Sequence, residues 1–388
     1  MSGQVRSGQV RSGQGHILLV ALCGNYNIGN RVQHYALQEV IKNLGFEVDN
    51  LFHFDEIYPK KLTVAQRVKK IIKYMLASLG IKKFKLSLIS ERNFLDRTEI
   101  FNEFNDKYIN NKIPVDINKI INSDSVQYNN NNYNFVVTGS DQIWSPLYSG
   151  KKMLQYFLLE FVEPNKRVNY APSFGVTKIS DERYNEYKEG LSGFKKLSCR
   201  EQSGCDLMRE QFNLNSELVL DPTLLLNPEQ WRKISRKPNF KIPEKYILVY
   251  SLDKLSDHYK NLLEKFAAGR EIINIHDPSD LEHFLTGPQE FIYLIDHADG
   301  IFTDSFHGTA FSINFNKNFI VLGKEKNHGR NFMFDRMNTI LTRLNLSDRA
   351  EAGKNFPPNE INYNDVNQKL NLMRESSLKY LRECLNVK

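Results

Sequence analysis

The residue in this chain that most plainly invites chemistry is His307, in the run Asp304-Ser305-Phe306-His307-Gly308-Thr309. The apolar Gly300-Ile301-Phe302-Thr303 before it reads as a buried strand that turns directly into a helix. Ser305 is placed to cap that helix, which puts the Gly308 and Thr309 amides in its first turn, pointing outward. A helix start with free amides binds anions, and a histidine there donates to a phosphate or carboxylate and passes it a proton. The plainer reading is a capped helix with a histidine packed on a sheet edge. Asp304, Ser305 and His307 do not make a hydrolase triad. Triad members meet across a fold, and no GxSxG elbow is present.

Two further stretches place reactive groups at strand ends. In Thr138-Gly139-Ser140-Asp141-Gln142-Ile143-Trp144 a strand gives way to an acid, an amide and a large aromatic. Open α/β sheets bind ligands at that edge, and sugars suit an aromatic face flanked by Asp and Gln. The competing reading is a turn with a buried tryptophan. In Lys196-Leu197-Ser198-Cys199-Arg200-Glu201 the cation Arg200 falls where a strand meets a helix. A guanidinium there grips a carboxylate or phosphate through two parallel hydrogen bonds, or serves as a salt-bridge residue. Asp221, in Leu220-Asp221-Pro222-Thr223, is another strand-end acid, ranked as structural. Lys324, Arg330 and Arg336 add cations close in sequence to His307, although most such residues are simply solvated.

Several chemistries lack their usual marks. No GxGxxG follows the first strand, and no phosphate-binding P-loop is present. Neither HExxH nor a His and Cys set with ligand spacing occurs, and no Asp-x-Asp pair is available, so no metal is expected. Cys23, Cys199, Cys205 and Cys384 are scattered, against a disulfide framework.

The elements that must position these residues alternate regularly. Residues 16–22, 135–138, 167–171 and 218–220 read as strands, and 201–212 as a helix. Residues 238–243 look like a linker. Beyond it 246–250, 272–275 and 300–303 read as strands, and 362–385 as an amphipathic helix. The expected architecture is α/β, with two Rossmann-like domains facing a cleft. Their bounds are 16–238, with a basic helical insertion at about 60–110, and 239–355, followed by a C-terminal helix at 356–388. Residues 1–15 contain a small polar repeat and are expected to be a disordered leader.

The chain has 388 residues and a formal net charge of +7. Nine Lys or Arg, with no acid, fall within residues 60–90, and the remainder is slightly acidic. Such local basicity argues against general nucleic-acid binding. Val68, Ile71, Ile72, Met75, Leu76 and Leu79 form a helical apolar stripe beside it. The segment therefore reads either as a helix on an anionic membrane surface or as a core helix with a solvated face. No run is apolar enough to span a membrane, no signal peptide precedes the first strand, and a cytoplasmic location is expected.

Taken in order, these stretches resemble the polysaccharide pyruvyltransferase family. The matching parts are the loop 24–30 with 31–38 after it, residues 138–144, 170–175, 198–203, 221–223, 287–291 and 304–309. The resemblance implies a GT-B-like fold with the acceptor on the side of residues 16–238, phosphoenolpyruvate (PEP) as donor on the side of residues 239–355, and no cofactor or metal. It further implies a sugar acceptor, expected to be a galactose-type hexose on a polyprenyl-linked capsule or cell-wall precursor, and peripheral attachment to the membrane through residues 60–90. By the same resemblance His307 matches the family's histidine before glycine, and Arg200 a family arginine of the site. Well-known members carry arginine where this chain has Ser305, so the donor phosphate falls to Ser305, Gly308, Thr309, Lys324, Arg330 and Arg336. His307, Asp141 and Arg200 are the expected catalytic set. Asn25, Asn27, Asn30, Arg31, Gln142 and Trp144 are the expected acceptor contacts. The rival readings are a GT-B glycosyltransferase using a nucleotide sugar and a non-catalytic carbohydrate-binding protein.

Overall fold

Strand β1 (His16–Val20) is apolar on both faces and forms the centre of a five-stranded parallel sheet. The order is β3 (Lys112–Val115), β2 (Glu47–His53), β1, β4 (Phe135–Asp141) and β5 (Arg167–Pro172). The chain runs outward from β1 to β3 and then returns to start β4 on the other side. Order therefore reverses between β1 and β4, and the loops leaving those carboxyl ends part to leave a crevice. A short pair, β6 (Ser198–Cys199) and β7 (Glu217–Leu218), follows. A second parallel sheet is ordered β11 (Asn318–Val321), β10 (Gly300–Thr303), β8 (Tyr246–Tyr250) and β9 (Glu271–Asn274). Its order reverses between β8 and β10. The result is two Rossmann-like lobes facing a cleft, in a GT-B-like arrangement.

This is a computed structural model that describes residues 14–22, 27–53, 82–122, 132–147, 149–323, 332–350 and 360–387. At 53, 82–92, 94, 122 and 332–334 it describes the backbone alone. Asn25, Lys324, Arg330, most of the expected leader and residues 54–81 lie outside it, and with them most of the expected membrane contact. No described helix is long and apolar enough to cross a membrane.

Helix α1 (Ile28–Asn43) joins β1 to β2 and is buried along most of its length, polar residues included. Those residues are hydrogen-bonded, as burial requires. Arg31 donates to Asn105 Oδ1 (2.9 Å) and to the Leu22 carbonyl (2.7 Å). Asn105 belongs to α2 (Lys82–Tyr108), so Arg31 ties the two helices together. Gln33 Oε1 accepts from the Ser140 amide (3.1 Å) and hydroxyl (2.7 Å), tying α1 to β4.

An aromatic chain then carries α1 into the second lobe. Tyr35 packs on Trp231, Trp231 on Phe311, Phe311 on Phe291, and Phe291 on Tyr250, with centroids 4.8–5.7 Å apart. Such pairs contribute about 0.5–1.5 kcal/mol each beyond their buried area. The two lobes thus share one apolar core. The last helix, α7 (Tyr363–Cys384), seals the back of both. Tyr380 donates to the Asn169 carbonyl (3.2 Å) in the first lobe, and Arg374 to Asn314 Oδ1 (2.9 Å) in the second. Between α2 and α7 lie α3 (Gln202–Phe212), α4 (Pro288–His297), α5 (Phe306–Asn314) and α6 (Phe332–Arg343), with further helices elsewhere.

Candidate active site

At the carboxyl end of β4 the backbone turns sharply through a cis Gly139–Ser140 peptide into Asp141 at φ 69°. A Cβ at Gly139 would lie 2.0 Å from the Tyr170 carbonyl oxygen, so that position admits only glycine. A left-handed aspartate is uncommon, and here the Ile143 and Ser173 amides hold it by donating to its carbonyl (2.8 Å each). The side chain is thereby aimed out of the sheet toward Arg200, which follows β6.

Arg200 is gripped on both sides. Its Nη2 donates to Asp141 Oδ1 (2.8 Å) and its Nη1 to Asp221 Oδ2 (2.7 Å), while its plane lies 4.2 Å from the centroid of Phe306. Asp221 is fixed in turn by the Thr223 amide (3.0 Å) and hydroxyl (2.7 Å). Arg336, on α6, brings its Nη1 to 3.6 Å from Asp141 Oδ1. His307, on α5, places its Nε2 3.9 Å from Asp221 Oδ2, with no hydrogen-bond partner among the described residues. None of these five residues is more than 8 % exposed.

Both lobes contribute to this cluster. A Cβ on Gly29, in the first turn of α1, would fall 2.2 Å from His307 Nδ1, so the imidazole rests on bare backbone. The Tyr250 side chain interacts with Ser305 and with the Gly29 backbone at the same junction.

The electrostatics divide the roles. Burial opposes ionisation of Asp141, but Arg200, His307 and Arg336 outweigh it and bring its pKa down to about 2. Asp141 is therefore a weak base. Burial also pushes the His307 pKa below 6.5, and the nearby acids only partly offset it. The imidazole is neutral at pH 7 and able to accept a proton. Burial disfavours the charge on Arg200, yet Asp141 and Asp221 more than compensate, and it stays cationic. A neutral base beside two guanidinium groups can bind a small anion and move protons next to it.

The structure thus brings His307, Arg200, Asp141 and Arg336 together, and adds Asp221 at their centre. Other expected contacts fall elsewhere. The Gly308 amide is taken by the Ser305 hydroxyl (3.4 Å) and the Thr309 amide by the Ser305 carbonyl (3.0 Å). Ser305 is thus the cap of α5, and among the described residues nothing accepts from the first-turn amides of Phe306 and His307. The Arg200 fork, expected to grip a ligand carboxylate, already engages two protein carboxylates through Nη1 and Nη2.

On the acceptor side, Asn27 caps α1 by accepting from the Asn30 amide (3.2 Å), and Arg31 is the fully buried tie to α2 described above. Trp144 is also fully buried, packed between Phe174 and Phe194, and offers no face to a sugar. Gln142 is half-buried against Gly175, where a Cβ would meet its Nε2 at 2.3 Å.

Gly29 and Tyr250 did not stand out in the sequence. The motif around Gly29 signals a loop, and its function as a seat for His307 depends on a residue nearly 280 positions away. Among the described residues no group of three or more His, Cys, Asp or Glu is placed to hold a metal ion.

No curated protein matches the chain. Solved structures similar to it include a glycosyltransferase from Rickettsia africae, 14% identical over 96% of this chain and 99% of that one, with a TM-score of 0.43. Another is the UDP-GlcNAc 2-epimerase from Neisseria meningitidis, 9% identical over 96% and 94%, with a TM-score of 0.39. At these identities the likeness concerns the fold alone. The sequence profile of one family matches residues 27–324, from the cap of α1 past the end of β11 and so across every element of the buried cluster except α6. The chain belongs to the polysaccharide pyruvyl transferase family.

Proposed function

We propose that the enzyme transfers pyruvate from PEP to two hydroxyls of one sugar, forming a cyclic ketal and releasing phosphate. The acceptor in this proposal is a hexose, of galactose type, within a polyprenyl-linked capsule or cell-wall precursor. The observation that carries the reading is the pair of guanidinium groups, Arg200 and Arg336, meeting a neutral His307 at the switch points of both sheets. PEP is a compact anion, and such a site supplies cations and the two open amides of α5. Lys324 and Arg330, in the segment between β11 and α6, are proposed as further donor cations.

The reaction balances as follows. A proton adds to the methylene carbon of PEP, and the first sugar hydroxyl attacks C2 and gives up its own proton. The bond from C2 to the phosphate oxygen breaks, and the second hydroxyl attacks C2 as its proton leaves. One of the two protons released replaces the one consumed, and the other ends on phosphate. His307 is the group proposed to carry a proton to the departing phosphate. Asp141, too weak a base to drive deprotonation, is proposed to position a hydroxyl. Arg200, held by two acids, is proposed to fix the Asp141 and Asp221 carboxylates and lend its charge to the donor.

The test is to incubate the enzyme with PEP and a panel of galactose-terminated oligosaccharides, following phosphate release and product mass. The expected product gains one pyruvate less one water, and His307→Ala abolishes it. Product formation from UDP-sugars, with none from PEP, would replace pyruvyl transfer with glycosyl transfer.

A further inference from the structure

Glu201 is a buried acid next to Arg200 to which the reaction above gives no part. It stands at the cap position of α3 on extended backbone. Short side chains such as Ser, Thr, Asp and Asn are preferred there because they reach the first amides of the helix. Glu201 makes no such bond, and the Gln202 amide is taken instead by the Thr339 hydroxyl of α6 (3.2 Å). The glutamate side chain turns inward, and the residue is only 1 % exposed.

Its surroundings satisfy half of the carboxyl. Oε1 accepts from the Phe174 amide (3.0 Å) and rests on the first turn of α3, where a Cβ on Gly204 would come within 3.3 Å of it. The Ser173 hydroxyl sits beside the carboxyl. Neither that hydroxyl nor Glu201 Oε2 completes a hydrogen bond among the described residues. A buried carboxyl left in that state is costly when charged and much less so when protonated. Ser173 and Glu201 share the strand-end ledge that carries the cluster. The Ser173 amide donates to the Asp141 carbonyl (2.8 Å), and the Arg200 amide to the Pro172 carbonyl (3.1 Å).

Two carboxyls on this ledge are thus driven apart in acidity. Arg200, His307 and Arg336 hold Asp141 ionised, with a pKa of about 2. Burial pushes Glu201 above its ordinary 4.5, and Arg200, Arg336, Ser173 and the Phe174 amide offset this only in part. Cys199 of β6 and Cys205 of α3 also face Glu201. Neighbouring carboxyls with opposed environments divide into an ionised group and a proton donor. Pyruvyl transfer needs a donor for the methylene carbon of PEP. Neither His307, which serves the phosphate, nor the ionised Asp141 fills that part.

We propose that Glu201 is the source of the proton that PEP takes up at its methylene carbon, delivered through the Ser173 hydroxyl. The inference rests on the pyruvyl-transfer reading above and supplies its first step. As the Ser173 O–H bond breaks, its proton forms the new C–H bond with the electron pair of the PEP double bond. The Glu201 O–H bond breaks to restore the hydroxyl. The proton given up by the first sugar hydroxyl returns along the same path, so the carboxyl ends the cycle as it began.

The test measures PEP-dependent phosphate release with the galactose-terminated oligosaccharides, beside the thermal midpoint with rising PEP. Glu201→Gln keeps the size of the side chain and an acceptor for the Phe174 amide but has no acidic proton. It should lower kcat by about 10²-fold or more, while its midpoint still climbs with PEP as in wild type. Wild-type turnover should fall as pH rises through the Glu201 pKa, and the residual activity of Glu201→Gln should lack that fall. Ser173→Ala leaves the carboxyl in place, should lower kcat by a similar factor, and settles the matter where the first variant folds poorly. Near-wild-type turnover in either variant would overturn the proposal. So would a PEP response lost together with turnover in Glu201→Gln, since the residue would then serve Arg200 rather than the carbon. Both of those outcomes leave pyruvyl transfer standing. No phosphate release from the wild type with any acceptor would remove pyruvyl transfer itself, and this step with it.

Discussion

His307 owes its position to a residue that does no chemistry. Its ring rests on Gly29 so closely that a Cβ there would reach within 2.2 Å of Nδ1. Gly29→Ala should therefore move the imidazole while leaving the cores intact. Displacements near 1 Å cost on the order of 10²-fold in rate. Steady-state turnover set beside the urea midpoint checks this, and full activity would mean that His307 is not at the reacting centre. Asp141 makes a second prediction. Its pKa of about 2 lies below the ordinary 3.8, so its pairing with Arg200 stabilises the fold above 3.8 and is lost as pH falls toward 2. In an acid titration Asp141→Asn should lack this component of unfolding, and a curve identical to wild type would contradict it. The sequence exposed His307, Arg200 and Asp141 because each ends a strand or opens a helix. It ranked Asp221 as structural, although Asp221 has the same strand-end placement. Only the fold reveals that a single guanidinium bridges the two acids.

At the scale of elements, the strands were legible because short apolar runs between turn residues have few other uses. The expected strand at 218–220 is paired only over Glu217–Leu218, and the helix expected at 362–385 forms as Tyr363–Cys384. Trp144 was harder. An aromatic after a strand-end acid looks the same in sequence whether it faces a sugar or, as here, Phe174 and Phe194. The burial of Arg31 was equally hidden, because its partners, Asn105 and the Leu22 carbonyl, are supplied by other elements. Helix α5 separates two meanings of Ser305. As a cap alone, Ser305→Ala should cost about 1 kcal/mol of stability and leave the KM for PEP unchanged. Chemical denaturation and PEP kinetics on that variant distinguish the two, and a many-fold rise in KM would restore Ser305 as a donor contact.

At the scale of the molecule, two doubly wound sheets present their switch points to each other, and α1 lies between them with its first turn under His307. The aromatic path from Tyr35 to Tyr250 and the helix α7 hold this arrangement from behind. We propose that the buried cluster shared by the lobes is the PEP site. It is tested most directly by the thermal midpoint of the protein with rising PEP, in wild type and His307→Ala, with UDP-glucose as comparison. A ligand that prefers the folded state stabilises it by RT ln(1 + [L]/Kd), about 2.7 kcal/mol at 100 times Kd. The midpoint is expected to climb with PEP in wild type, to climb much less in His307→Ala, and not to respond to UDP-glucose. A midpoint indifferent to PEP but raised by UDP-glucose would contradict it.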